Sequence, residues 1–91
     1  YGLAENEVIV SVSGVAKPMR QALINVLTQE YSFIQVMEEV SYDKGVVQYF
    51  IQMEIKAEEF AERLRTAEFS SFRLDVIRFN PNHIDCTLKF L

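Results

Sequence analysis

Hydrophobic and polar positions alternate at strand spacing over much of this chain. Val8, Val10 and Val12 alternate with Ile9, Ser11 and Ser13, the period of a strand with one buried face, and Gly14 ends the run. Over residues 16–31 the spacing changes. Met19, Ala22, Leu23, Val26 and Leu27 recur at i, i+3, i+4, i+7 and i+8, which predicts an amphipathic helix. Pro18 falls in its first turn, where a missing N–H costs nothing, and Ser13 or Gly14 offers the entry cap. Residues 33–42 predict a second strand with Ile34, Val36, Val40 and Tyr42 on one face and Glu38 interrupting it. Asp43-Lys44-Gly45 predicts a three-residue hairpin loop with the glycine in the left-handed region. Val47, Tyr49, Ile51, Met53 and Ile55 then share one face of a third strand, with Gln48, Phe50, Gln52 and Glu54 on the other.

Residues 56–69 predict a second helix with Ala57, Phe60, Ala61 and Leu64 as its stripe. Glu58 and Glu59 early and Arg63 and Arg65 late suit the helix dipole, and Glu59 and Arg63 form an i, i+4 pair. After Ser70-Ser71, a strand carrying Phe72, Leu74 and Val76, a turn at Asn80-Pro81-Asn82-His83 and a last strand carrying Ile84, Cys86, Leu88 and Phe90 form a closing hairpin. The order β-α-β-β-α-β-β predicts an α+β fold: a ferredoxin-like two-layer sandwich, an antiparallel sheet with both helices on one face. Strands one and three are expected in the centre, the second strand at one edge and the fifth at the other. Residues 1–6 read as a tail or linker and 7–91 as a single domain.

Composition narrows the function classes. The chain has 91 residues, room for one domain, and 49% of them are hydrophobic, enough to offset the entropy of ordering. A net charge of −4 argues against binding nucleic-acid phosphates and against electrostatic attachment to anionic lipid. No apolar run approaches the ~20 residues of a membrane span, so direct membrane insertion is not expected of this segment. The chain starts with Tyr1 rather than Met and reads as a piece of a longer protein. A single cysteine rules out an internal disulfide and fits both the cytoplasm and the periplasm.

Little in the sequence points to catalysis. His83 and Cys86 are the only residues of their kinds, and the expected hairpin makes one an exposed turn residue and the other a core thiol. No spacing of metal ligands or nucleotide-binding glycines is present, so neither metal nor cofactor is expected. Glu38-Glu39 and Glu58-Glu59 are adjacent pairs whose members face different ways, unlike a working dyad. Glu38 as an inward charge on an edge strand reads as a guard against aggregation. The glycine before Lys17 and Arg20 reads as a sharp turn more readily than as an anion site. Phe50, Ile9 and Ile77 lie on the minority faces of their strands and together predict an apolar patch on the sheet face away from the helices, a mark of a partner site.

VIVSVSGVAKPMRQALINVL and FRLDVIRFNPNHIDCTLKFL, joined through FAERLRTAEF, resemble the small periplasmic ferredoxin-like domains of inner-membrane assembly-platform proteins in type II secretion and type IV pilus machines. The resemblance implies a non-catalytic domain that dimerises or pairs with sibling domains, on the periplasmic side of a membrane helix and coiled coil. That family often begins with a helix, where this chain begins with a strand, and no residue role carries over. The expected function is therefore protein–protein docking, with a protein partner or a second copy, through an edge strand, a helix face or the sheet. The candidate contacts are Ile34, Val36, Glu38, Val40, Phe50, Ile84, Cys86 and Leu88. The alternative is an ACT-like regulatory domain holding a small ligand at residues 13–17.

Overall fold

The structure, a computed structural model, describes residues 3–91. Its elements run β1 (Glu7–Ser13), α1 (Met19–Glu30), β2 (Ile34–Asp43), β3 (Val46–Met53), α2 (Ala57–Thr66), β4 (Phe72–Asn80) and β5 (His83–Phe90). The strands form one sheet in the order β2-β3-β1-β5-β4. Val8, Val10, Val12, Tyr49, Ile51, Met53 and Ile84 turn to one face and are fully buried. Leu23 and Leu27 of α1 and Phe60, Ala61 and Leu64 of α2 pack on that same face, in one continuous core. Among the described residues, the other face carries no helix.

The sheet differs from expectation in two respects. It is mixed, because β1 pairs with β5 in parallel. And the fifth strand is interior, with β4 at the edge. The crossover through α2 carries the chain past β1 to the far side, and the hairpin then returns β5 into the gap. Both strands alternate, so periodicity alone does not order them. Their side chains explain the choice. β4 carries Arg73 and Arg78, both exposed, and a bulge that leaves Ile77 unpaired and exposed, features that keep an edge from pairing with other chains. Ile84, Cys86 and Leu88 of β5 are buried, 6% exposed at most.

β2 is also irregular, and its bulges change which residues face the core. Gln35 and Val40 are skipped in the register with β3. Each skip reverses the alternation. Since directly opposed residues share a face, Ile34, Met37, Glu39 and Tyr42 lie on the helix side, opposite Met53, Ile51, Tyr49 and Val47. Val36, Glu38 and Ser41 lie on the outer side. The inward charge is therefore Glu39 rather than Glu38. It meets Arg20 of α1 at 2.6 Å, and the Arg20 guanidinium also lies 4.9 Å from the centre of the Tyr42 ring.

The hairpin loops are shorter than expected. Asp43 pairs with Val46, leaving Lys44 and Gly45 as a two-residue turn with φ of 52° and 80°, the mirror-image turn that matches strand twist. A Cβ on Gly45 would meet nothing closer than the Val15 carbonyl at 3.9 Å, so only the backbone opposes a side chain there. Gly45→Ala is expected to cost about 1–2 kcal/mol of stability in urea unfolding. The second turn is Pro81-Asn82, and His83 is already the first residue of β5. At α1 the residue before the helix is Pro18, with no side-chain cap. Residues 4–6, expected as a tail, are tied down: the Asn6 side chain donates to the Met53 carbonyl, and the Ala57 N–H to that of Glu5. Tyr1 and Gly2, the start of that expected tail, lie outside the described residues.

Candidate functional site

The open face of the sheet gathers the outward residues of all five strands. The register sets them in rows. Glu38, Phe50, Ile9, His83 and Asn80 form one row across β2, β3, β1, β5 and β4. Ser41, Gln48, Ser11, Asp85 and Arg78 form the next. Ile9 and Phe50 are thus direct cross-strand partners, as the apolar-patch expectation requires. From the second row outward lies a shallow depression of about 280 Å³, lined by Ser11, Asp85, Ser13 and Thr87 with Val46 and Ile77. Ile77, with two thirds of its surface exposed, is separated from the Ile9–Phe50 pair by the polar row of Gln48, Ser11 and Asp85.

A line of hydrogen bonds crosses four strands on this face. The Ser41 hydroxyl donates to Gln48 Oε1 at 3.0 Å, and Gln48 Nε2 donates to Ser11 Oγ at 3.1 Å. Ser11 Oγ is 2.8 Å from His83 Nε2, which is 3.0 Å from Asp85 Oδ1. Serine, histidine and aspartate in sequence invite comparison with a nucleophilic triad, but the geometry is different. In a triad, serine and aspartate contact opposite ring nitrogens; here both converge on Nε2. A carboxylate only accepts, so the nitrogen facing Asp85 carries the hydrogen and cannot take the Ser11 proton. Ser11 also lies in the central strand, laddered on both sides, with no free backbone N–H pair to receive an oxyanion. The line therefore works as a polar brace that fixes the register of β2, β3, β1 and β5.

His83 and Cys86 point to opposite faces and do not meet. Cys86 is in the helix-side core, where burial, with Asp85 and Asp75 adding to it, pushes its thiol up to about 12. Such a thiol is protonated at neutral pH and is a poor nucleophile. Among the described residues no three of His, Cys, Asp and Glu converge to hold a metal. Glu58 and Glu59 occupy the first turn of α2, with Glu59 bonded to Arg63 at 3.0 Å.

In the loop after β1, where a small ligand would sit in the alternative reading, several backbone groups are bonded within the chain. Val15 N–H donates to the Gly45 carbonyl, the Tyr42 hydroxyl to the Val15 carbonyl, and Met19 N–H to that of Ala16. Arg20 N–H and Nε both donate to the Lys17 carbonyl.

The other candidate contacts separate by face. Val36, Glu38 and Phe50 share the open face, and Val40 is exposed at the β2 bulge. Ile34 is half-buried on the helix side, and Ile84, Cys86 and Leu88 are in the core of an interior strand. Ser11, Gln48, His83 and Asp85 were not singled out together by the sequence pattern. The available signal was the polar half of each alternation, Ser11 and Ser13 in β1 with Asp85 and Thr87 in β5, but it becomes a site only through the parallel pairing. No family model, curated protein or solved structure matches the chain. Among the described residues no helix is long and apolar enough to cross a membrane.

Proposed function

We propose that this chain is a non-catalytic docking module of ferredoxin-like kind that meets a protein partner across the open face of its sheet. The observation that carries this reading is the one-sided layering: five strands are covered by helices on one face only, and the other presents the Ile9–Phe50 pair with Val36 nearby and Val46 and Ile77 farther along. Apolar side chains on an uncovered sheet face gain by being covered. The adjacency β2-β3-β1 and the two helical crossovers support the ferredoxin-like assignment, with β5 beside β1 and β4 displaced outward. The resemblance to assembly-platform domains of secretion and pilus machines belongs to the same reading, since those domains act by pairing.

Photocrosslinking in the full-length protein tests it. A photoreactive phenylalanine analogue at Phe50 is expected to give a discrete protein adduct in the cells that make the protein, and the same analogue at exposed Gln21 on α1 is not. Adducts from Gln21 alone would move the docking surface to the helices, and no adduct from either position would refute docking.

A further inference from the structure

We infer that the partner presents an amphipathic helix to the open face, basic along both borders of its apolar stripe and laid lengthwise over β3; this rests on the docking reading above. The apolar part of the face lies mainly in its β2-β3-β1 half. Phe50 and Ile9 are cross-strand partners, Val36 is opposite Gln52 in the adjoining row, and Val46 begins β3 at the other end.

The charges divide along the same line. The outward residues of β1, β2 and β3 include Glu7, Glu38 and Asp43 and no cation. Lys44 is in the turn, beyond the last row. Glu38 is opposite Phe50 and Asp43 opposite Val46, so both border the apolar residues on the β2 side. Glu7 borders them on the β1 side. Glu38 and Asp43 are exposed, and among the described residues neither forms an ion pair. On the β5-β4 half the carboxylates are engaged: Asp75 meets Arg73 at 3.0 Å, and Asp85 meets His83 at 3.0 Å. Arg78 and Lys89 there have no acidic partner among the described residues. A cationic segment is therefore drawn to the β2-β3-β1 half and held off β4.

Hydrogen bonding and size select a helix. β3 and β1 are laddered on both sides, so a segment lying over them finds no free backbone groups, and a helix satisfies its own. From Gln52 to Val46 the outward residues of β3 extend over ~20 Å, and the three strands are ~10 Å across. A helix of about 14 residues has that length and width. It meets the sheet through apolar positions at i, i+3 and i+7, with lysines or arginines on either side. A second copy of this chain fits less well. Its apolar half carries the same three carboxylates, and a two-fold axis along β1 sets Asp43 of one copy opposite Asp75 of the other.

NMR titration of the 91-residue chain with two capped model peptides of about 14 residues tests this. Both carry leucine at i, i+3, i+7 and i+10; one has lysine beside the stripe and the other glutamate. The lysine peptide should bind about tenfold more tightly, with shifts centred on Ile9, Val46 and Phe50. Glu38→Lys with Asp43→Lys should reverse the order. Glu30→Lys with Glu62→Lys, the same change of charge on exposed positions of α1 and α2, should preserve it. All four positions are exposed, so the fold is retained. Equal affinity for the two peptides, no binding of either at millimolar concentration, shifts centred on the helices, or reversal by the α1 and α2 pair overturns the basic helix. The docking reading is decided separately: a Phe50 adduct to an acidic segment or to a second copy leaves it standing without the basic helix, and no adduct from Phe50 or Gln21 removes both.

Discussion

Phe60→Ala should remove about 3–5 kcal/mol of stability, the largest loss expected from any single side chain discussed for this molecule. Phe60 is fully buried and is the central contact of α2. Its ring meets Tyr31 edge-on, with centroids 5.5 Å apart, and Phe33 edge-on at 5.9 Å. Tyr31 continues to Phe69 at 6.5 Å, and Phe69 stacks on Phe72 at 5.0 Å. These rings join the end of α1, the middle of α2 and the start of β4. Truncation therefore leaves a cavity where three elements meet and removes aromatic pairs as well as buried area. A domain of this length has on the order of 5–14 kcal/mol in total, so the loss is a large fraction of it. Phe60→Leu, which keeps most of the volume, should cost much less. The exposed Glu59–Arg63 pair one turn away should contribute only about 0.3–0.5 kcal/mol. Urea unfolding of the two Phe60 variants and of Glu59→Ala checks the order; a Phe60→Ala loss of no more than about 1 kcal/mol would show that the cluster relaxes to fill the space.

The elements whose partners are uniform were legible from the sequence. β1 and β3 alternate without a break, and the inward residues Val8, Val10, Val12, Val47, Tyr49, Ile51 and Met53 are buried where alternation put them, while Ile55, expected on the same face of the third strand, lies past its end at Met53 and is half-buried. α2 buries the stripe its spacing predicts. β2 departs from its pattern because two bulges, at Gln35 and Val40, reverse the alternation, and no local residue marks them: neither is a glycine. Unbroken alternation puts the inward charge at Glu38, whereas Glu39 faces α1 and meets Arg20. The order of β4 and β5 was illegible for a different reason. A hairpin can be laid against β1 by either strand, and which strand becomes the edge depends on long-range burial rather than on periodicity. That choice also created the Ser11–His83–Asp85 brace, because only parallel pairing of β1 with β5 sets residues more than 70 positions apart in adjacent rows. The open apolar patch was partly legible: Ile9 and Phe50 pair directly, and Ile77 stands apart.

Stability should fall steeply once the pH rises above that of an ordinary thiol. Burial pushes Cys86 from 9.0 to about 12, with the Asp85 and Asp75 charges adding to the shift. Tyr49 is pushed up from 10.0, by burial first and by Glu39 second, with Arg20 opposing. Tyr31 moves the same way, by burial first and Glu30 second, with Arg63 opposing. All three hold their protons more tightly folded than unfolded. The folded chain therefore binds more protons than the unfolded one in this range, and stability falls as pH rises. The contribution is fully present below pH 9.0 and, for Cys86, is lost between 9.0 and about 12. The slope is about 1.4 kcal/mol per pH unit for each group, so Cys86 alone amounts to about 4 kcal/mol at the upper limit. Its window opens first, because the tyrosines join only above 10.0. Urea unfolding at a series of pH values separates the two. Cys86→Ala should flatten the curve between pH 9 and 10, beginning from a somewhat less stable protein because a buried group has been removed. Tyr49→Phe should leave that interval unchanged and flatten the curve above pH 10, after a loss of about 1 kcal/mol at neutral pH from the hydroxyl's bond to the Arg20 carbonyl at 2.7 Å. If Cys86→Ala keeps the wild-type slope between pH 9 and 10, the thiol is ionising without unfolding the chain and its environment admits the charge.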